Sequence, residues 1–276
     1  MSAPSRAVVV LLAGVLLAGC GAAASAPTAS TASPAPVSVS DAVPVSTAVP
    51  VPAPAAPPAP RARHVVVLDP GHNGGNARDR AAVNAPVPDG RGGTKPCNTT
   101  GTQTDAGYPE HAFNWDLALR VRDALTAKGV TVVMTRDDDT GVGPCVDVRG
   151  AAGEQADADA VVSLHADGSA PGNRGFHVAY SDPPLNAAQS GPAHQLSADL
   201  RDALRAGGFA VSDYVGTDGL SPRRDLAGLN LSTRPAALVE CANMRNAAEA
   251  ALVGSPAGRA RYAAAIAAGV EAFLNR

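Results

Sequence analysis

The sequence predicts an α/β fold, a single domain built on a mostly parallel, twisted sheet with helices on both faces. Three observations predict it: short apolar runs recur along the chain, amphipathic helical patterns separate them, and several runs end in residues able to do chemistry. Runs that are apolar on successive positions suit strands buried on both sides. Strands alternating with helices imply parallel order with crossover connections.

The first strand is expected at residues 65–68, where Val65, Val66, Val67 and Leu68 are apolar in succession. Phe113, Leu117, Val121 and Leu125 then recur every four residues and stop at Lys128 and Gly129, a helix with its terminator. Strands follow at residues 131–135, 160–164 and 175–180, rich in Val and Ala. Leu196, Leu200 and Leu204 mark a second helix ending before Gly207, residues 236–240 a further strand, and Tyr262, Ile266, Val270 and Phe273 a closing helix. In such sheets ligands bind beyond the carboxyl ends of the strands.

The chain has 276 residues, 45% of them hydrophobic, with 22 Lys+Arg against 25 Asp+Glu and a net charge of −3. Near neutrality leaves no basic face to neutralise a row of phosphates, so nucleic acid is excluded as a partner. Arg6 precedes an apolar run from Ala7 to Ala18, too short to span a bilayer of roughly 30 Å and suited to a secretory signal. That run closes in Leu17, Ala18, Gly19 and Cys20, a string that resembles the lipobox of bacterial lipoproteins, in which the cysteine is acylated. The alternative is an ordinary signal cleaved after Ala24 or Ala26, which discards Cys20. Residues 1–20 are therefore read as a signal, and Cys20 as a membrane anchor. Either reading exports the protein. Residues 21–60 hold Ala, Ser, Thr, Val and Pro with one charge, Asp41, and are expected to be a disordered tether or plain linker. Residues 61–276 form the folded domain, expected to act as a monomer.

Three strand ends carry candidate groups: Asp69 and His72 after the first, His165 after the third, and Glu240 on the last; Glu110 opens the first helix. Two imidazoles and a carboxylate make a common catalytic zinc set, so His72, Glu110 and His165 are candidate ligands for one Zn2+ ion. Glu240 follows Ala236, Ala237, Leu238 and Val239, an apolar setting that raises a carboxyl pKa toward that of a proton shuttle. The bland alternatives are loop histidines and a glutamate that favours a helix N-terminus.

Here the residues resemble a family. The string VVVLDPGHNGG, residues 65–75, resembles the opening strand and zinc histidine of the zinc-dependent N-acetylmuramoyl-L-alanine amidases, the amidase-3 family. Glu110 with residues 114–136, Arg149, ADADAVVSLHAD at 156–167 and PAALVECANMRN at 235–246 follow in the family's order. The resemblance implies that His72, Glu110 and His165 bind zinc and that Glu240 is general base and acid. The reaction it implies cuts the amide between N-acetylmuramic acid and the L-alanine of the peptidoglycan stem peptide. The sequence departs from the family pattern in Cys241 and Ala242, where Gly and Phe are common, and in Asp167, where Asn is. Asn243, Arg245 and Asn246 are candidates to hold stem-peptide carboxylates or sugar oxygens, or else form a solvated loop. Two other functions stay open: a zinc peptidase acting on stem peptides, and a catalytically silent wall-binding lipoprotein.

Cys97 and Cys145 lie in Gly/Pro-rich loops and are expected to pair in an oxidising exterior; Cys241 is expected to be a reduced core residue, with a catalytic thiol as the alternative. Residues 73–107 read as one long loop that borders the site, pinned by Cys97. His111 and His177 are assigned no ligand role, His177 because it lies mid-strand.

Overall fold

The computed structural model describes residues 64–276. The expected signal, Cys20 and the Pro-rich stretch lie outside the described residues. Strand β1 (Val65–Pro70) is followed by a short helix α1 (Arg80–Val83) and a hairpin of β2 (Pro86–Pro88) and β3 (Thr94–Pro96). Helix α2 (Glu110–Thr126), strand β4 (Thr131–Met134), helix α3 (Val146–Gln155) and strands β5 (Ala160–Asp167) and β6 (His177–Ser181) come next. The chain closes with α4 (Ala187–Ser190), α5 (Pro192–Ala206), β7 (Leu220–Arg223), α6 (Ala227–Asn230), β8 (Ala236–Asn243), α7 (Ala247–Gly254) and α8 (Pro256–Leu274).

Six strands form one sheet in the order β4-β1-β5-β8-β6-β7, every neighbouring pair parallel except β6 against β8. The expected mostly parallel sheet is thus observed, with one reversal. Alternation along each strand separates two faces. Val66, Leu68, Val162, Leu164, Val178 and Val239 point to one of them, where Phe113, Leu117, Val121 and Leu125 of α2, the leucines of α5 and Tyr262 and Ile266 of α8 complete the large core. Val67, Val161, Ala179 and Leu238 point to the other and form a smaller cluster with Leu229 of α6 and, at its edge, Ala152 of α3.

The helices begin where the chemistry of the peptide group allows. Pro192 and Pro256 stand in the first turns of α5 and α8, where the missing N–H is no loss, and Ser255 caps α8 by accepting from Gly258 N. Past the C-cap of α2, Gly129 takes a φ of +84°, a conformation that L side chains avoid.

Three elements correct the sequence reading. Residues 73–107 are not one loop: they hold α1 and the β2–β3 hairpin. β7 was hidden by Pro222 within LSPR, tolerable because this strand lies at the sheet edge. β8 runs on to Asn243, so Glu240 sits within the strand rather than at its end.

Candidate active site

β1, β5 and β8 are adjacent and parallel, so their carboxyl ends open at one place. His72 follows β1 by two residues, His165 lies on β5, and Glu110 is the first residue of α2. The three converge. Glu110 Oε2 is 3.1 Å from His72 Nε2, Glu110 Oε1 is 2.9 Å from His165 Nδ1, and the imidazole centroids are 4.9 Å apart, edge to face. One ligand atom from each residue lies within 4.8 Å of the other two, so the group could bind a metal ion.

The donor set fits such an ion. Tetrahedral zinc ligands at about 2.0–2.1 Å stand roughly 3.3 Å from one another, close to the two contacts of Glu110. His72 Nδ1 lies 3.0 Å from Thr99 O, and because a carbonyl only accepts, Nδ1 carries the proton and Nε2 is the nitrogen turned inward. Burial opposes charge on His72, but Glu110 opposite and the bonds to Glu110 and Thr99 raise its pKa. Burial also opposes the charge of Glu110, which is 4% exposed, yet the two histidines hold its carboxyl well below the usual range. The backbone N–H of Thr102 donates to Oε2 at 2.9 Å and that of Ala166 to Oε1 at 3.3 Å. Glu110 is thus held in the charged form that a metal ligand needs.

Two arginines fix the loop that carries His72. The buried Arg149 donates to Asp69 Oδ1, Pro70 O and His72 O, each at 2.7 Å, and to Pro144 O at 2.9 Å. Arg136 donates to Pro70 O at 3.0 Å and His111 O at 3.1 Å, joining β1 to α2. Burial works to raise the Asp69 pKa, but the Arg149 charge and hydrogen bonds from Thr135, Ser163 and Arg149 lower it to about 2. His72 itself has a φ of +60°, a costly conformation for a side chain with a Cβ. The preceding Gly71 is obligatory: a Cβ there would lie 2.1 Å from His165 Cε1. Gly101, at φ +74°, is likewise pressed against the site, 2.6 Å from Glu110 Oε2 if given a Cβ.

Glu240 lies directly across from His165 in the β5–β8 register. Its Oε2 is buried without a hydrogen-bond partner. Burial, then the charges of Glu110 and Asp167, push its pKa well above the ordinary value against the pull of Arg223. All four residues line a cavity of about 450 Å³, whose lining also includes the apolar Val161, Leu226, Leu229 and Leu238. Asn98, Thr99, Gly101 and Thr102 form part of its wall, so the stretch between the first two candidate ligands does border the site.

The N-acetylmuramoyl-L-alanine amidase family matches residues 66–272. This chain belongs to that family. The amidase Rv3717 of Mycobacterium tuberculosis is 51% identical over 210 residues, 76% of this chain and 86% of that protein. Among solved structures, the N-acetylmuramyl-L-alanine amidase Ami1 of Mycobacterium smegmatis is 55% identical with a TM-score of 0.75, covering 77% of this chain and 97% of its own. Ami1 of Mycobacterium abscessus is 52% identical with a TM-score of 0.74, covering 76% and 98%.

Within this amidase fold the remaining candidates divide. Cys97 and Cys145 are bonded, with Cα atoms 4.4 Å apart, and Val146 N donates to Cys97 O across the joint. Cys241 is buried on the large-core face, and burial followed by the charge of Glu240 pushes its thiol pKa up, which leaves it inert. Asn243 is fully buried and organises the loop after β5: it donates to Ala170 O and Asn173 O and accepts from Ser169 N and Arg245 N. Asn246 caps α7 and donates to Pro171 O. The buried Asn243 side chain is fully committed, which counts against its expected contact with substrate, whereas Asn246 is half-buried and commits only one of its two amide N–H groups. Arg245 pairs with Asp105 at 2.8 Å and keeps a half-exposed side chain. His111 bonds Asp139 at 2.7 Å, a structural contact. Thr99 and Thr102, missed by the sequence reading, act through backbone groups, which leave no mark on residue type.

Proposed function

We propose that the protein hydrolyses the amide between the lactyl group of N-acetylmuramic acid and the L-alanine of the peptidoglycan stem, with one zinc ion held by His72, Glu110 and His165. The single observation that supports it most is the convergence of those three donors beside a fourth, unpartnered carboxyl. Bound there, zinc would supply a Lewis acid for the scissile carbonyl and lower the pKa of a water toward 7. Glu240 takes a proton from the attacking water at its carboxyl and delivers it to the departing amide nitrogen, which leaves poorly unless protonated. Its raised pKa suits both halves of that task. The loop at Thr99 and Thr102 and the arginines behind β1 hold the ligands before substrate arrives, so little reorganisation accompanies the reaction.

Arg245, half exposed, is our candidate to meet a stem-peptide carboxylate. Export to the cell envelope and membrane attachment through an acylated Cys20 belong to the same proposal, supported by the LAGC string. Mass spectrometry of wall fragments digested by the zinc-supplemented protein tests it. Free stem peptides beginning with L-alanine are expected. Cuts within the stem, with its muramic acid still attached, would favour a peptidase instead.

A further inference from the structure

One row of side chains crosses three strands. The β5–β8 register sets His165 opposite Glu240, and the β8–β6 register sets Glu240 opposite His177. Direct cross-strand neighbours share a face with Cβ atoms about 4.5–5.5 Å apart. The row thus reads candidate ligand, candidate base, and a second imidazole to which neither the sequence nor the proposed mechanism gives a task.

His177 is 2% exposed, and its Nδ1 is buried without a hydrogen-bond partner. Glu240 Oε2, across the same strand pair, is in the same condition. Tyr214 stacks edge-on against the His177 ring at 6.3 Å, and its hydroxyl is already committed to Asp167 Oδ2 at 3.0 Å. Burial, opposed by Asp167 and aided by Arg223, brings the His177 pKa down to about 4, so the ring is neutral and keeps one N–H and one lone pair. A buried polar atom with no partner loses its bonds to water without replacement, and a valine or phenylalanine would fill this strand position without that loss. Two such atoms on directly paired residues of neighbouring strands, without a bond between them, point to a shared use.

We propose that His177 is a positioning residue for Glu240: its Nδ1–H donates through one bridging water to Oε2 and so turns Oε1 toward the amide. The inference rests on the amidase reading and extends it. A carboxyl with both oxygens free swings about its last torsion, whereas delivering a proton to one nitrogen needs a fixed direction. A neutral imidazole fixes that direction without adding charge beside the cluster.

Zinc-loaded wild-type protein is compared with His177→Phe, which keeps the ring shape without the nitrogen, and His177→Asn, which restores an N–H near the Nδ1 position. On a soluble muropeptide, His177→Phe is expected to lower kcat about 100-fold with KM and zinc content unchanged, and His177→Asn to recover about tenfold of that. A second readout is nitrogen NMR of histidine-labelled protein, where Glu240→Leu should move the Nδ1 signal of His177. A kcat for His177→Phe within about threefold of wild type overturns the proposal, as does no recovery in His177→Asn. So does an Nδ1 signal that Glu240→Leu leaves in place. Should the phenylalanine variant not fold, the NMR comparison decides alone. Wild-type protein that releases no stem peptide overturns the amidase reading instead, which separates the two failures.

Discussion

On one face of the central sheet, Leu68, Val162, Leu164, Val178 and Val239 meet the apolar flanks of α2, α5 and α8, and the packing there is dominated by hydrocarbon. On the other face the same strands begin apolar, with Val67, Val161 and Leu238, and turn polar toward their carboxyl ends: Asp69, Ser163, His165, Glu240. Neighbouring positions on one strand thus serve opposite ends, as with Val239 in the core and Glu240 at the site. The difference teaches that a period of two lets stability and chemistry be encoded side by side with little interference.

The sharpest test of that separation removes the chemistry and watches the fold. Chelation should abolish stem-peptide release and zinc should restore it. Glu240→Gln should cut kcat by roughly 10³-fold, with the melting midpoint held or raised because an unpartnered buried carboxyl is gone; a large loss of stability would break the comparison. The disulfide tests the wall of the site next. Replacing Cys97 and Cys145 by serine releases a constraint across 48 residues, which the chain-entropy account values at about 4 kcal/mol, read by urea unfolding. On the apolar face, Leu117→Ala should cost about 3 kcal/mol of stability while kcat, assayed well below the melting midpoint, stays near wild type.

The smallest effect is acid sensitivity beneath the site. Asp69 has a folded pKa of about 2 against an ordinary 3.8. Its contribution, about 2 kcal/mol, is therefore full above the unfolded value and is lost as pH falls through the folded one. Unfolding midpoints at about pH 5 and about pH 2 should differ less in Asp69→Asn than in wild type, once each is set against its own neutral-pH stability.

What the sequence disclosed follows from which forces leave a residue signature. β1, β5 and β8 were legible because Val, Leu and Ala run uninterrupted, and α2, α5 and α8 because their core residues return every four positions. α3 was not, since VDVRGAAGEQ has two glycines and no apolar stripe; it is placed by Arg149 and by the small cluster beneath it. The β2–β3 hairpin has no hydrophobic run and is tied down by the disulfide and by Cys97 N donating to Ala85 O. The four residues of the candidate site stood out by type and by strand ends. Asn243 shows the limit of that approach: its residue type suits ligand binding, yet a loop uses every group it has.

Gly71 offers no charge and no side chain, yet a single methyl there would overlap the His165 ring. In a saturation library it should therefore prove as intolerant of replacement as the histidines themselves. A catalogue of reactive groups would omit it, because what it contributes is empty space. Drift at this address is barred by crowding alone.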